Sequence, residues 1–226
     1  PTRRNVMSMR RRLNYYRRIF AAYLTPQQSQ LTFWHDTPEV NANFKPGVLG
    51  EYHLPFTEKA NYQGQYDAAG IPLLDYHGIT GLQYNPIALA QYGLGNFNLF
   101  CRTGDAERRR KAFRAADWLL ENLEQNPAGM WVWNHNFDFE YRTTLRAPWY
   151  SALAQGQGIS LLVRVHQESQ ESVYLDAAAR AFQTFTESVN AGGVKYVDAS
   201  GHVWFEEYIV SPPTHILNGF ISALLG

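Results

Sequence analysis

From Asn85 to the end of the chain two hydrophobic periods alternate, and few architectures accommodate both. Asn-Pro opens the first stretch, NPIALAQYGLGNFNLF, as a cap followed by the first helical position, with Ile87, Leu89, Ala90 and Leu94 supplying an apolar helix. Thr103–Asn126 predicts a second, amphipathic helix. Ala112, Phe113, Ala116, Leu119, Leu120 and Leu123 face inward, Arg108–Lys111 face outward, and Asn126-Pro127 closes it. The period then drops to two: Met130–Trp133 and Phe137–Tyr141 around Asn134-His135-Asn136 read as a β-hairpin. Helices are predicted again over Trp149–His166 and Glu171–Val189. A Gly192-Gly193 break, a small hairpin over Val194–Phe205 and a helix beginning near His215 follow. Helix pairs separated by short excursions predict a mainly α fold, an incomplete (α/α) toroid or barrel whose excursions form the rim of a cleft. No strict sequence repeat accompanies the pattern.

The first third reads differently. Residues 1–24 carry Leu13, Tyr16, Ile19, Phe20 and Tyr23 at helical spacing, with seven arginines by Arg18 and no Asp or Glu before Asp36. Such a face binds an acidic polymer or an anionic membrane, or is simply solvated. Residues 25–80 are rich in proline, glycine and aromatics, with GEYHLPF (50–56) and GIPLLDYHG (70–78) as short extended pieces. The expected division is an N-terminal helix and loop-rich lobe over 1–69 and a helical domain over 70–226. The formal net charge of +0 gives no global argument for nucleic acid. Cys101 is the only cysteine, so no intrachain disulfide is possible, and it is expected to be a buried apolar residue. No apolar run reaches transmembrane length and no signal-type segment follows the early arginines, which leaves the compartment open. The chain stops at ISALLG, in the second turn of its last helix, so it is expected to be a fragment.

Chemistry concentrates in HVWFEEYIVSPPTHILNGF (202–220). Val203-Trp204-Phe205 reads as a strand, Pro212-Pro213 bars regular structure just beyond, and Thr214 is the expected N-cap of the last helix. Glu206, Glu207 and Tyr208 therefore lie where a strand gives way to a loop, either projecting into a cleft or solvated at the surface. Other chemistries are set aside. There is no P-loop and no dinucleotide fingerprint, the seven histidines form no HExxH, and Ser151 lacks a nucleophile elbow. No metal site is readable. The 14 tyrosines and 6 tryptophans suit a protein that handles sugars, and equally a large helical core.

Ala147–Arg164 (APWYSALAQGQGISLLVR) and Trp204–Phe220 (WFEEYIVSPPTHILNGF) closely resemble the C-terminal helical domain of the D-glucuronyl C5-epimerases, which make iduronate within heparan-type polysaccharides. Gly70–Leu94 resembles the region where those enzymes enter the same domain, so the resemblance covers about two thirds of the chain. The large β-rich N-terminal part of the animal enzymes has no counterpart here. The resemblance implies an acid/base role for Tyr208, an active-site role for Glu207 and a sugar contact for Asn218. Tyr84, Gln91, Tyr92, Trp149, Tyr150, Gln155 and Gln157 sit in family-like strings as cleft-lining candidates, with hydrogen bonding between core helices as the other reading of Gln155 and Gln157. Arg142 and Arg146 are candidates for binding substrate carboxylates or sulfates, or are structural. The implied partner is an acidic, uronate-containing polysaccharide, with a homodimer as a possible assembly and no cofactor.

Epimerisation at C5 removes a proton α to a carboxylate and returns one from the opposite face. The family's other catalytic tyrosines and a substrate-binding arginine lie beyond the point where this sequence stops, so the 226-residue chain is expected to be inactive alone. A polysaccharide lyase or glycoside hydrolase on the same architecture, or a glycan-binding protein without catalysis, are the alternatives. Adjacent Glu206 and Glu207 would point oppositely on a strand, which argues against a hydrolase pair.

Overall fold

The computed structural model describes residues 39–226 together with Tyr16, Phe20, Phe33 and Trp34. The arginine-rich helix expected over residues 1–24 lies outside the described residues. The chain runs α1 (Thr57–Ala60), β1 (Gln65–Tyr66), β2 (Pro72–Asp75), β3 (Leu82–Gln83), α2 (Pro86–Thr103) and α3 (Ala106–Glu121). It continues through β4 (Leu123–Gln125), β5 (Trp131–Trp133), β6 (Phe139–Glu140), β7 (Thr144–Leu145), α4 (Ala152–Ser169) and α5 (Ser172–Thr186). A 3-10 turn (Val189–Ala191), β8 (Lys195–Val197), β9 (Val203–Phe205) and α6 (Leu217–Leu225) complete it. All the strand pairs are short and antiparallel.

The helices form two rows. α2, α4 and α6 pack side by side, while α3 packs on α2 and α5 on α4. Burial follows the sequence periods. α2 and α4 are buried on nearly all sides and carry glycine, alanine and leucine throughout, whereas α3 and α5 bury one stripe each. The core joins Tyr92, Leu94, Leu119, Leu161, Leu162 and Trp133 from these helices and β5, and it also takes in Tyr52 and Phe56 from the preceding loops. No helix among the described residues is long and apolar enough to cross a membrane.

Local signals account for the boundaries. The Asn85 side chain accepts from the N–H groups of Ile87 and Ala88, with Pro86 at the first helical position, and Gly104 at φ 70° ends α2. Asp105 and Ser151 cap α3 and α4 in the same way. Two buried amides then tie the loop-rich lobe to α2. Asn98 accepts from the Tyr52 N–H and donates to the Leu54 carbonyl, while Asn96 receives Arg108, which also reaches the Ala60 carbonyl.

Several expectations are corrected. Trp131–Trp133 pairs backwards with Leu123–Gln125, not forwards with Phe137–Tyr141, and Phe139–Glu140 pairs with Thr144–Leu145. The Asn126–Gly129 turn decides this. The Asn126 side chain accepts from the Ala128 and Met130 N–H groups and Gly129 sits at φ 82°, so the chain reverses before β5 and shortens α3 to Glu121. Residues 50–56 form no strand. The last helix starts at Leu217 without a side-chain cap, because His215 adopts a left-handed φ of 47°. Cys101 is exposed, lying in the last turn of α2 where that helix has passed its packing partners. The small hairpin expected within Val194–Phe205 forms as β8 and β9.

α4 and α6 approach closely because Gly156 lacks a side chain: a Cβ there would lie 2.6 Å from the Ala223 carbonyl oxygen. Gly156→Ala should lower unfolding stability by about 1–3 kcal/mol through overpacking, despite the better helix propensity of alanine. Urea denaturation measures this, and an unchanged midpoint would show that the two helices are free to separate.

Candidate functional site

The two family-like strings meet. The Glu206 N–H donates to the Val194 carbonyl at 2.9 Å, and the Ala152 N–H donates to the Glu206 carbonyl at 3.0 Å. Ala152 is the first residue of α4, so one of the helix's unpaired N-terminal donors holds the strand end. Beyond that anchor Tyr208 packs among aromatic rings. Its ring centroid lies 4.6 Å from Tyr141, 5.8 Å from Phe139 and 5.8 Å from Trp149, the last edge-on. Trp149 stacks on His135 at 3.8 Å with 6° between the planes, and its indole N–H donates to the Phe137 carbonyl. Tyr76 packs on Phe137 at 4.5 Å, its hydroxyl accepting from the Asn85 side chain that also caps α2.

The adjacent carboxylates have different surroundings. Glu206 is buried and accepts from His215 Nδ1 at 2.6 Å and from the His215 backbone N–H at 3.4 Å. His215 in turn lies against Trp204 and Tyr196. Glu207 is 8% exposed, and its Oε2 is buried without a hydrogen-bond partner. Burial raises its pKa above the usual carboxylate range, opposed in part by the Tyr208 hydroxyl. Burial and then the Glu207 charge raise the Tyr208 pKa well above that of a free phenol. Gly219, in the first turn of α6, makes room for this carboxyl, since a Cβ there would fall 2.1 Å from Oε2. A carboxyl and a phenol both shifted toward their protonated forms, beside an aromatic wall, can donate hydrogen bonds to an anionic ligand and deliver a proton.

The other candidates scatter. Asn218 is exposed at the start of α6, next to Gly219. Tyr150 packs against the cluster of Ala152, Val194 and Ala223 and away from the Tyr208 cluster, its hydroxyl donating to the Gly192 carbonyl. Gln155 is fully buried. It accepts from the Trp133 N–H and donates to the Trp131 and Ala181 carbonyls, which is hydrogen bonding between core elements. Gln91 donates to Gln157, also within the helical rows. Tyr84 is exposed and donates to Asp67. Arg146 is exposed and pairs with Asp138.

The sequence reading passed over His135, Phe137, Phe139 and Tyr141 as site residues. A signal was present: they are spaced by two, so an extended segment presents them to one side, whichever strand it pairs with. Tyr76 comes from β2 and its turn, and nothing in its neighbourhood announces the contact.

Residues 125–226 match the family described as D-glucuronyl C5-epimerase C-terminus. The match contains both strings that meet at the Glu206 anchor, while the third, Gly70–Leu94, lies before it. Over 115 residues, half of this chain, the sequence is 39% identical to a D-glucuronyl C5-epimerase of Caenorhabditis elegans. Over 113 residues it is 32% identical to an uncharacterized protein of Methanocaldococcus jannaschii. The aligned segments span 18% of the first relative's length and 36% of the second's.

The raised pKa of Glu207 has a consequence for stability. The folded state holds this proton more tightly than the unfolded chain, so the contribution is present at low pH and is lost as pH rises above the ordinary carboxylate range. Glu207→Gln removes the titration. As pH rises through and above the ordinary carboxylate range its urea midpoint should therefore fall less than that of the wild type, whereas equal slopes would show that Glu207 ionises as a solvated group.

Proposed function

We propose that this chain, whose residues 125–226 match the D-glucuronyl C5-epimerase C-terminus, inverts C5 of glucuronate residues in an acidic polysaccharide. The observation that carries the reading is the pairing of Tyr208 with Glu207. A phenol and a carboxyl, both held toward their protonated forms, lie side by side where the family's two motif strings join.

C5 of a uronate carries a proton α to the carboxylate. Its removal leaves an enolate-like carboxylate, which needs hydrogen-bond donors while the charge is delocalised. The Glu207 carboxyl, with Oε2 unpartnered, donates to that group. Tyr208 returns a proton to C5 from its own face. A phenol is a weak acid, but a carbanion is basic enough to take its proton, and burial keeps the phenol un-ionised until then. The base that first removes the C5 proton stands on the opposite face of the sugar. The Trp149, Phe139 and Tyr141 rings exclude water around Tyr208, and the half-buried Phe139 and Tyr141 supply apolar faces against which a pyranose can lie. In this reading Asn218, exposed at the start of α6 beside Gly219, contacts the sugar.

A glycoside hydrolase is disfavoured by the two carboxylates themselves. Glu206 is buried and committed to His215, which itself lies against Trp204 and Tyr196, so Glu206 is not free to serve with Glu207 as an acid–base pair.

The test uses the complete gene product with a heparosan-type polymer in heavy water, reading deuterium at the uronate C5 by NMR. Incorporation with chain length retained is expected, and Tyr208→Phe should reduce it by about 10²–10⁴-fold, as loss of a positioned proton donor does. Incorporation accompanied by an unsaturated chain end would assign a lyase instead. No exchange with any uronate polymer would leave glycan binding without epimerisation.

A further inference from the structure

His135 is completely buried, yet the chemistry proposed above makes no use of it. Its surroundings are specific. The backbones of His135 and Trp149 exchange two hydrogen bonds, of 2.6 and 3.2 Å, as an isolated antiparallel bridge. The imidazole lies face to face on the indole, and its Nδ1 is 3.2 Å from the Trp149 carbonyl oxygen. A carbonyl only accepts, so Nδ1 carries the ring proton and Nε2 is left as a lone pair. That Nε2 is buried and has no partner. Burial lowers the imidazole pKa to about 3, against the opposing effect of the Trp149 carbonyl, so the ring is neutral throughout the physiological range. A phenyl ring would fill the same space and orphan no acceptor. What the imidazole adds is the Nδ1–H bond, which prevents the stacked pair from sliding. The indole is held at its other end by the Phe137 carbonyl, and its edge contact with Tyr208 completes the chain.

We propose that His135 is a positioning residue for the Tyr208 site: stacked on Trp149 and bonded to its carbonyl, it fixes the indole wall against which the Tyr208 ring lies. This deepens the epimerase reading and, for its kinetic consequence, rests on it. His135 touches no reacting atom. It acts through Trp149, so its removal displaces Tyr208 relative to C5 without changing the surface a polymer binds.

The test compares wild type, His135→Phe and His135→Asn. Phenylalanine keeps an aromatic ring and loses the donor, whereas asparagine keeps a donor near the Nδ1 position and loses the ring. Two readouts are taken: the indole N–H resonance of Trp149 in a nitrogen-15 spectrum, assigned by its loss in Trp149→Phe, and steady-state C5-hydrogen exchange by the complete gene product. His135→Phe should move the Trp149 resonance and lower kcat by about 10- to 100-fold, with KM and the thermal midpoint unchanged, since small misplacements of reacting groups cost that much. His135→Asn should recover part of kcat. An unmoved resonance with unchanged kcat overturns the proposal, as does a kcat loss that merely follows the folded fraction. Should the phenylalanine variant fail to fold, the asparagine variant decides by the same readouts, because loss of the stack alone must still move the resonance and lower kcat. If the wild type exchanges no C5 hydrogen, the epimerase reading fails, and the indole resonance alone still decides whether His135 holds Trp149.

Discussion

The hydrogen bond from the Ala152 N–H to the Glu206 carbonyl joins the two halves of the candidate site. An α-helix begins with amides that have no partner inside the helix, and α4 spends one of them on the end of β9. The bond places Glu207 and Tyr208 at the mouth of α4, next to the Trp149 that precedes it. The approach it demands is possible because α6 can lie on α4 at Gly156 and on the Glu207 carboxyl at Gly219, with no Cβ at either point. Two glycines that contribute no side chain thus set the distance between the elements carrying the polar groups.

Around this anchor, burial does electrostatic work. Surrounding aromatic rings remove water from Tyr208 and Glu207, and in a medium that solvates charge poorly both groups favour their neutral forms. Glu206, one residue away, is instead hydrogen-bonded directly by His215. That contact holds His215 in its left-handed conformation, delays the start of α6 and so brings Gly219, not a larger residue, against Glu207. The chemistry of one carboxylate and the conformation of one histidine together set up the environment of the next carboxylate.

Much of this was legible in the sequence, for local reasons. Asn85-Pro86 announced the start of α2, and the helical period from Ala112 to Leu119 identified the packed face of α3. The motif string over 204–220 singled out Glu207 and Tyr208 as candidates. Asn134-His135-Asn136 resembles a turn and so points Trp131–Trp133 forwards, whereas the stronger turn at Asn126–Gly129 pairs it backwards with Leu123–Gln125. Gln155 and Trp149 come from one string, yet one binds core backbone and the other supports Tyr208. Position within a motif does not distinguish them, because residues six apart on a helix and its lead-in point to different neighbours.

By itself the sequence determined the main helices, the Asn85-Pro86 start of α2 and the concentration of acid–base residues in 202–220, because propensity, capping and periodicity act over a few residues. Tertiary structure alone decided which polar groups lost their water. Glu206 and Glu207 are the same residue type in adjacent positions, and only the elements that close over them differ: His215 over one, Gly219 and the Tyr208 aromatic cluster over the other. A pKa depends on what surrounds a group in space, and those neighbours come from parts of the chain that sequence distance keeps apart.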